Sequence, residues 1–225
     1  MEIRRVKKHD VDMTSGSVFR HLLNFAVPLL MGNIFQQLYN TVDTWVVGNY
    51  VSNEAFSAVG TVAPIINTLI GAFSGLASGA GVVISQYYGA GKYDRVKDAV
   101  HTAVMMTLVL SVAFTAIGIA MTPNMLRLMK TPAEVFPESR AYLNIYFSGM
   151  AGLMLYNMGA GILRAVGDSK RPFYYLVCAA VINTVLDLVF VIAFGMGVEG
   201  VAYATIIAQG ISAILTMLTL LRSES

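Results

Sequence analysis

The stretch from Pro28 to Asp43, PLLMGNIFQQLYNTVD, constrains this chain most. It lies in a segment apolar enough to span a bilayer. Yet it carries a proline, the amides of Asn33, Gln36, Gln37 and Asn40, and a carboxylate. Steps of three and four residues return to one face of a helix, so Asn33, Gln36, Gln37, Asn40 and Asp43 are expected to share a side. A lipid-facing helix has no use for such a side. An Asp at mid-membrane costs about 2.5–3.5 kcal/mol on insertion scales, and such residues face a bundle interior or a watery cavity. The stretch reads as a helix that senses a cation inside a transporter lobe.

Composition agrees with a membrane setting. Of 225 residues, 56% are hydrophobic and 12% charged, where a soluble domain carries about 25% charged residues. The single cysteine, Cys178, sits in an apolar run, which leaves no disulfide framework and no cysteine metal site. The basic N-terminus is followed by no short apolar core with a small-residue cleavage site. The first span is expected to serve as its own insertion signal.

The reading along the chain is all-α. Residues 1–18 form a polar, basic cytoplasmic arm, and residues 19–221 a six-helix transmembrane lobe. Its spans run about 19–46, 54–88, 96–121, 139–163, 173–194 and 201–221, each near the ~20 residues a bilayer core requires. Residues 222–225 form a cytoplasmic tail. Pro28 kinks or softens the first span by removing a backbone donor. Thr122-Pro123 ends the third, and Pro132 lies near the start of the next helix. The small residues from Gly71 to Gly81 allow close helix approach or mark a break. Of the fifteen basic residues, only Arg127, Lys130 and Arg140 fall on the outer side of this arrangement. That excess places both termini in the cytoplasm. The lobe is expected in the cell membrane.

Three spans present a polar pair at helical spacing: Tyr39 with Asp43, Asn183 with Asp187, and Thr205 with Gln209. Carboxylate, amide and hydroxyl oxygens are hard ligands suited to Na⁺, and a carboxylate can hold a proton instead. Two carboxylates in a low-dielectric cavity repel unless a proton or a cation relieves them. Asp43, Asn183, Asp187 and Thr205 are therefore candidate ligands for Na⁺ or a proton site. Gln36, Asn40, Asn157 and Gln209 are candidate cavity-lining residues. No cofactor is implied beyond the coupling ion. No Walker loop, zinc motif or hydrolase elbow is present, no nucleophile–base set is visible, and an enzyme is not expected. No nucleic-acid partner is implied.

Four stretches, taken together, resemble the multidrug and toxic compound extrusion (MATE) family of cation-coupled exporters, in its DinF-like branch. They are VPLLMGNIFQQLYNTVDTWVVGNYV (27–51), SQYYGAGKYDRVKDAV (85–100), ILRAVGDSKRP (162–172) and VINTVLD (181–187). The resemblance covers nearly the whole chain, as the N-terminal six of the family's twelve helices. It implies a V-shaped, two-lobed antiporter that exchanges H⁺ or Na⁺ for organic cations and other amphipathic drugs. In that pattern Tyr39, Asp43, Asn183, Asp187 and Thr205 hold the cation. Pro28 is the conformational hinge. The family's second lobe has no counterpart in this chain, so the resemblance implies a partner lobe: a C-terminal half or a second copy. Alternative readings are a flippase of lipid-linked precursors from the same superfamily, or a non-transporting half that needs a partner. A flippase cavity is expected to carry more Arg or Lys for pyrophosphate, and the interiors of the spans carry none.

Overall fold

A computed structural model of the chain describes residues 17–224. Among them every regular element is helical. The α-helices are α1 (Val18–Tyr50), α2 (Asn53–Gly89), α3 (Tyr93–Leu128), α4 (Phe136–Ser148), α5 (Met150–Ala165), α6 (Lys170–Leu188) and α7 (Gly197–Glu224). A π-helical turn, Val189–Ala193, extends α6. Helices α4 and α5 run on from one another across a single residue, Gly149. The described residues thus form six rods joined by short turns, the all-α lobe expected from the sequence.

Four rods are long and apolar enough to cross a membrane: α2, α3, α6 with its π-turn, and α7. The other two fall short for separate physical reasons. The amides from Asn24 to Asn40 dilute the hydropathy of α1, although its 33 residues reach roughly 50 Å at 1.5 Å per residue. Helices α4 and α5 have 13 and 16 residues, each below the ~20 that a bilayer core takes.

Several helix bounds differ from expectation. Helix α3 does not stop at Thr122-Pro123 but continues to Leu128. Pro123 removes one ladder bond, and the Thr122 hydroxyl donates to the Gly118 carbonyl at 2.8 Å. The bond that Pro123 cannot make is to the Ile119 carbonyl, one residue on from Gly118, and proline is tolerated at such positions in membrane helices. The chain turns at Lys130, whose φ of 54° is left-handed. Pro132 opens a turn by accepting from Val135 and Phe136, and the helix itself starts at Phe136. The fourth rod, expected to be unbroken, is interrupted at Gly149, whose N–H is shared between Ile145 and Tyr146. A Cβ there would stand 2.3 Å from Ile206 Cγ2, so α7 crosses this point too closely for any other residue. Helix α7 starts at Gly197 rather than 201 and runs to Glu224, through most of the expected tail. Helix α2 is unbroken through its Gly/Ser stretch, and α1 is unbroken through Pro28. The expected arm, residues 1–18, lies outside the described residues except for Ser17 and Val18.

Helix α5 is the centre of the bundle and packs on α2, α3 and α7. Its small residues set the spacing. A Cβ on Gly159 would meet Thr216 Cγ2 at 2.4 Å, and one on Gly161 would meet the Ala77 carbonyl at 3.0 Å. Helices that cannot gain from hydrophobic segregation in lipid associate through such close contact. Two apolar clusters fill the interior. One joins Val46, Val62, Phe147, Met154 and Val201 toward the end carrying residues 51–52 and 129–135. The other joins Ala77, Ile84, Met158 and Leu163 toward the opposite end. Helix α1 is an edge rod that packs chiefly along α6.

Candidate ion site

The face of α1 that meets the bundle carries Tyr39, Asp43, Val46 and Val47, all buried. Asn33, Gln37 and Asn40 are exposed on another side. The single polar face expected for this stretch is therefore two. The reason is pitch: at 3.6 residues per turn, a side chain ten residues on from Asn33 has drifted well round the cylinder. Asp43 is carried inward while the amides remain outside.

Inside, three helices converge. Asp43 has Asp187 and Asn183 of α6 and Thr205 of α7 as neighbours. Tyr39 lies one turn before Asp43 and is also close to Thr205. Asn183 and Asp187 are 0% exposed. The structure thus brings together every residue expected to hold the ion. It adds two that sequence reasoning passed over, Tyr142 and Tyr146 of α4, both buried and both close to Asp43. Their signal was the same four-residue spacing that marked the other pairs, hidden because aromatic residues at helical spacing are ordinary core.

The cluster is short of hydrogen bonds. The Thr205 hydroxyl donates to the Val201 carbonyl at 2.9 Å and stands 3.5 Å from Asp43 Oδ2. One proton cannot serve both fully, and the nearer carbonyl takes the greater share. Asp43 Oδ1, both Asp187 oxygens, both polar atoms of the Asn183 side chain, the Tyr39 hydroxyl and Gln209 Oε1 have no hydrogen-bond partner in the protein. Buried polar atoms are nearly always paired, and each exception calls for a reason. Two unpaired carboxylates side by side form an arrangement that a proton or small cation would relieve. The donors present, two carboxylates with amide and hydroxyl oxygens, fit a hard cation. Among the described residues no group of three or more His, Cys, Asp or Glu converges.

A cavity of about 280 Å³ lies between α1, α2, α5 and the start of α6. Gln36, Asn40 and Asn157 line it, and Pro28 stands at its wall. Gln209 does not line it: this residue is buried on α7. Neither Asp43 nor Asp187 lines it. Asn67 and Arg164 do, and neither was singled out from the sequence for this role. The lack of basic residues in the span interiors does not extend to the cavity wall, because Arg164, in the last turn of α5, reaches it. A shallower depression of about 640 Å³ continues along the outer face of α1, past Asn40, Thr44 and Trp45 to Phe56 of α2.

Residues 28–189 match the family model described as MatE. The chain belongs to the MatE family. Among MatE relatives, it is 34% identical over 201 residues to the probable multidrug resistance protein YpnP of Bacillus subtilis, covering 89% of this chain and 45% of that one. It is 38% identical over 212 residues to the probable multidrug resistance protein YoeA of the same organism, covering 92% and 46%. The chain thus spans about half the length of the curated relatives it matches. The fold superposes on a MOP superfamily transporter from Pyrococcus furiosus with a TM-score of 0.89 at 25% identity, over 96% of this chain and 48% of that one. A MATE protein solved in a straight conformation gives 0.88 at 26% identity, again over 96% and 48%. The six-helix lobe is therefore a MatE lobe, and the convergence of α1, α6 and α7 on two acids is a feature of this MatE chain.

Proposed function

We propose that this lobe is the ion-sensing half of a cation-coupled multidrug antiporter. The observation that carries the reading is the pair Asp43 and Asp187, sealed inside the bundle with three of their four oxygens unpartnered. A proton or Na⁺ taken up there, with Tyr39, Asn183 and Thr205 completing the site, removes the repulsion between the acids. Helix α1 responds because it is an edge rod with few contacts beyond α6 and contains Pro28, where one ladder bond is missing. The ion shifts the balance between a straight α1 and one bent at Pro28 only by its differential affinity for the two states. The cavity lined by Gln36, Asn40 and Asn157 changes volume with α1 and releases an amphipathic drug. A partner lobe, from a C-terminal half or from a second copy, closes the other side of the cleft in the cell membrane, with both ends of this lobe cytoplasmic.

The test is efflux from vesicles holding the assembled transporter under an imposed H⁺ or Na⁺ gradient. Asp43→Asn and Asp187→Asn are each expected to reduce gradient-driven efflux by about 10²-fold or more, because the charge that the ion answers is gone. Undiminished gradient-driven efflux in both variants would overturn the reading.

Arg164 in the cavity wall favours a second reading, flipping of a lipid-linked precursor. One guanidinium among several amides is a thin complement for a pyrophosphate, so multidrug export remains the better account.

A further inference from the structure

We propose that the cavity beside α1 receives the anionic group of an amphipathic molecule, held by Arg164. The inference rests on the transport reading only in taking this cavity as the substrate chamber. The wall contains no Asp or Glu, and its one charged side chain is Arg164. The two buried acids, Asp43 and Asp187, do not line it. The nearest acid along the chain, Asp168, is already committed: it accepts from the N–H of Lys170 at 3.2 Å and of Arg171 at 3.1 Å, and pairs with the Arg171 guanidinium at 3.2 Å. Among the described residues no carboxylate pairs with Arg164. Arg164 is half-buried at the wall, where an unpaired charge is costly and an anion that completes it is correspondingly favoured.

The remaining wall is neutral and polar. Asn157 donates its amide N–H to the Leu153 carbonyl at 2.8 Å and offers its own carbonyl oxygen to a ligand. The Tyr156 hydroxyl is likewise committed, to the Pro172 carbonyl at 3.1 Å. Gln36 and Asn67 supply both donors and acceptors, while Ile70, Phe173 and Leu176 form an apolar side. An anionic head at Arg164 and a polar-to-apolar body along α1 suit a carboxylate, sulfonate or phosphate on a hydrophobic frame. An organic cation would meet a like charge.

The experiment uses two dyes that share one xanthene frame: fluorescein, anionic at pH 8, and rhodamine 123, a cation. Their anisotropy is titrated with the purified chain in an uncharged detergent and no ion gradient, so failure here leaves the coupling reading untouched. Fluorescein is expected to bind more tightly than rhodamine 123. Arg164→Gln weakens fluorescein about ten-fold or more and leaves rhodamine 123 unchanged or tighter, while Arg164→Lys keeps fluorescein within about three-fold. Should Arg164→Gln not fold, Asn157→Asp serves instead, and the added carboxylate reverses the preference between the dyes. Repeating the titration in nanodiscs separates the sources of the anion. Competition by phosphatidylglycerol but not phosphatidylcholine assigns the site to a lipid head group, and no competition assigns it to a free anion. Tighter binding of rhodamine 123 to the native chain, or equal fluorescein binding in the native chain and Arg164→Gln, overturns the proposal.

Discussion

Asp187 shows the conflict at the scale of one residue. It is fully buried, and neither oxygen has a partner in the protein. Removing its charge should therefore help the fold: Asp187→Asn is expected to raise stability by about 1–3 kcal/mol while abolishing the response to the ion. Thermal unfolding in detergent measures the first effect and ion-dependent efflux the second; a variant that is destabilised and still ion-responsive would mean the carboxylate is structural. Lys130 is strained for a different reason. It is the one described non-glycine residue with positive φ, and it closes the α3 C-terminus through the bonds Lys130 N–H to Arg127 and Thr131 N–H to Leu126. A side chain in that conformation costs about 1–2 kcal/mol. Lys130→Gly is expected to stabilise by up to about 1 kcal/mol, once the greater freedom of glycine in the unfolded chain is allowed for.

Among the elements, α5 and α1 have opposite characters. Helix α5 is tightly packed because glycines bring it against the Ala77 backbone on one flank and the buried Thr216 side chain on the other. Gly159→Ala would drive a methyl group into Thr216 and is expected to destabilise by about 1–3 kcal/mol. Gly60→Ala on α2, where a Cβ meets nothing within 4 Å, is expected to be neutral or to stabilise by up to about 1 kcal/mol. Measured side by side in one unfolding assay, equal effects at the two sites would refute close packing as the reason for Gly159. Helix α1 has Leu22, Val27, Leu30, Ile34 and Leu38 exposed along its length. It lies on the bundle rather than in it, as the proposed bending at Pro28 requires.

Across the whole molecule, the two ends of the lobe differ in charge and in filling. In the proposed orientation, with both ends of the lobe cytoplasmic, the α2–α3 turn and the α5–α6 turn face the cytoplasm. With Cys178 replaced by Ser, a single cysteine placed at Gly91 is expected to be labelled by a membrane-impermeant maleimide only after the cells are opened. One placed at Ala133 is expected to be labelled in intact cells, and the reverse pattern would invert the lobe. The acid cluster lies toward the Ala133 end, among the apolar residues around Val46, Phe147 and Val201.

What the sequence determined by itself follows from period and cost. A bilayer admits few charges and requires helices, so apolar length defined the rods, and the acids that paid insertion's penalty marked the site together with their partners one turn away. Only the tertiary structure decided which way each side chain of α1 looks. A face estimated from steps of three and four drifts over several turns, and packing against α6 selects the inward strip, so Asp43 parted from Asn33, Gln37 and Asn40. It also decided the break at Gly149, because the close crossing of α7 at Ile206 is not a local property. The neighbours of Asp43 on α4, and the arrival of Arg164 at a cavity wall, depend on how distant rods cross. That geometry arises from close packing of small residues on α5, α2 and α7, which no single stretch of the chain encodes.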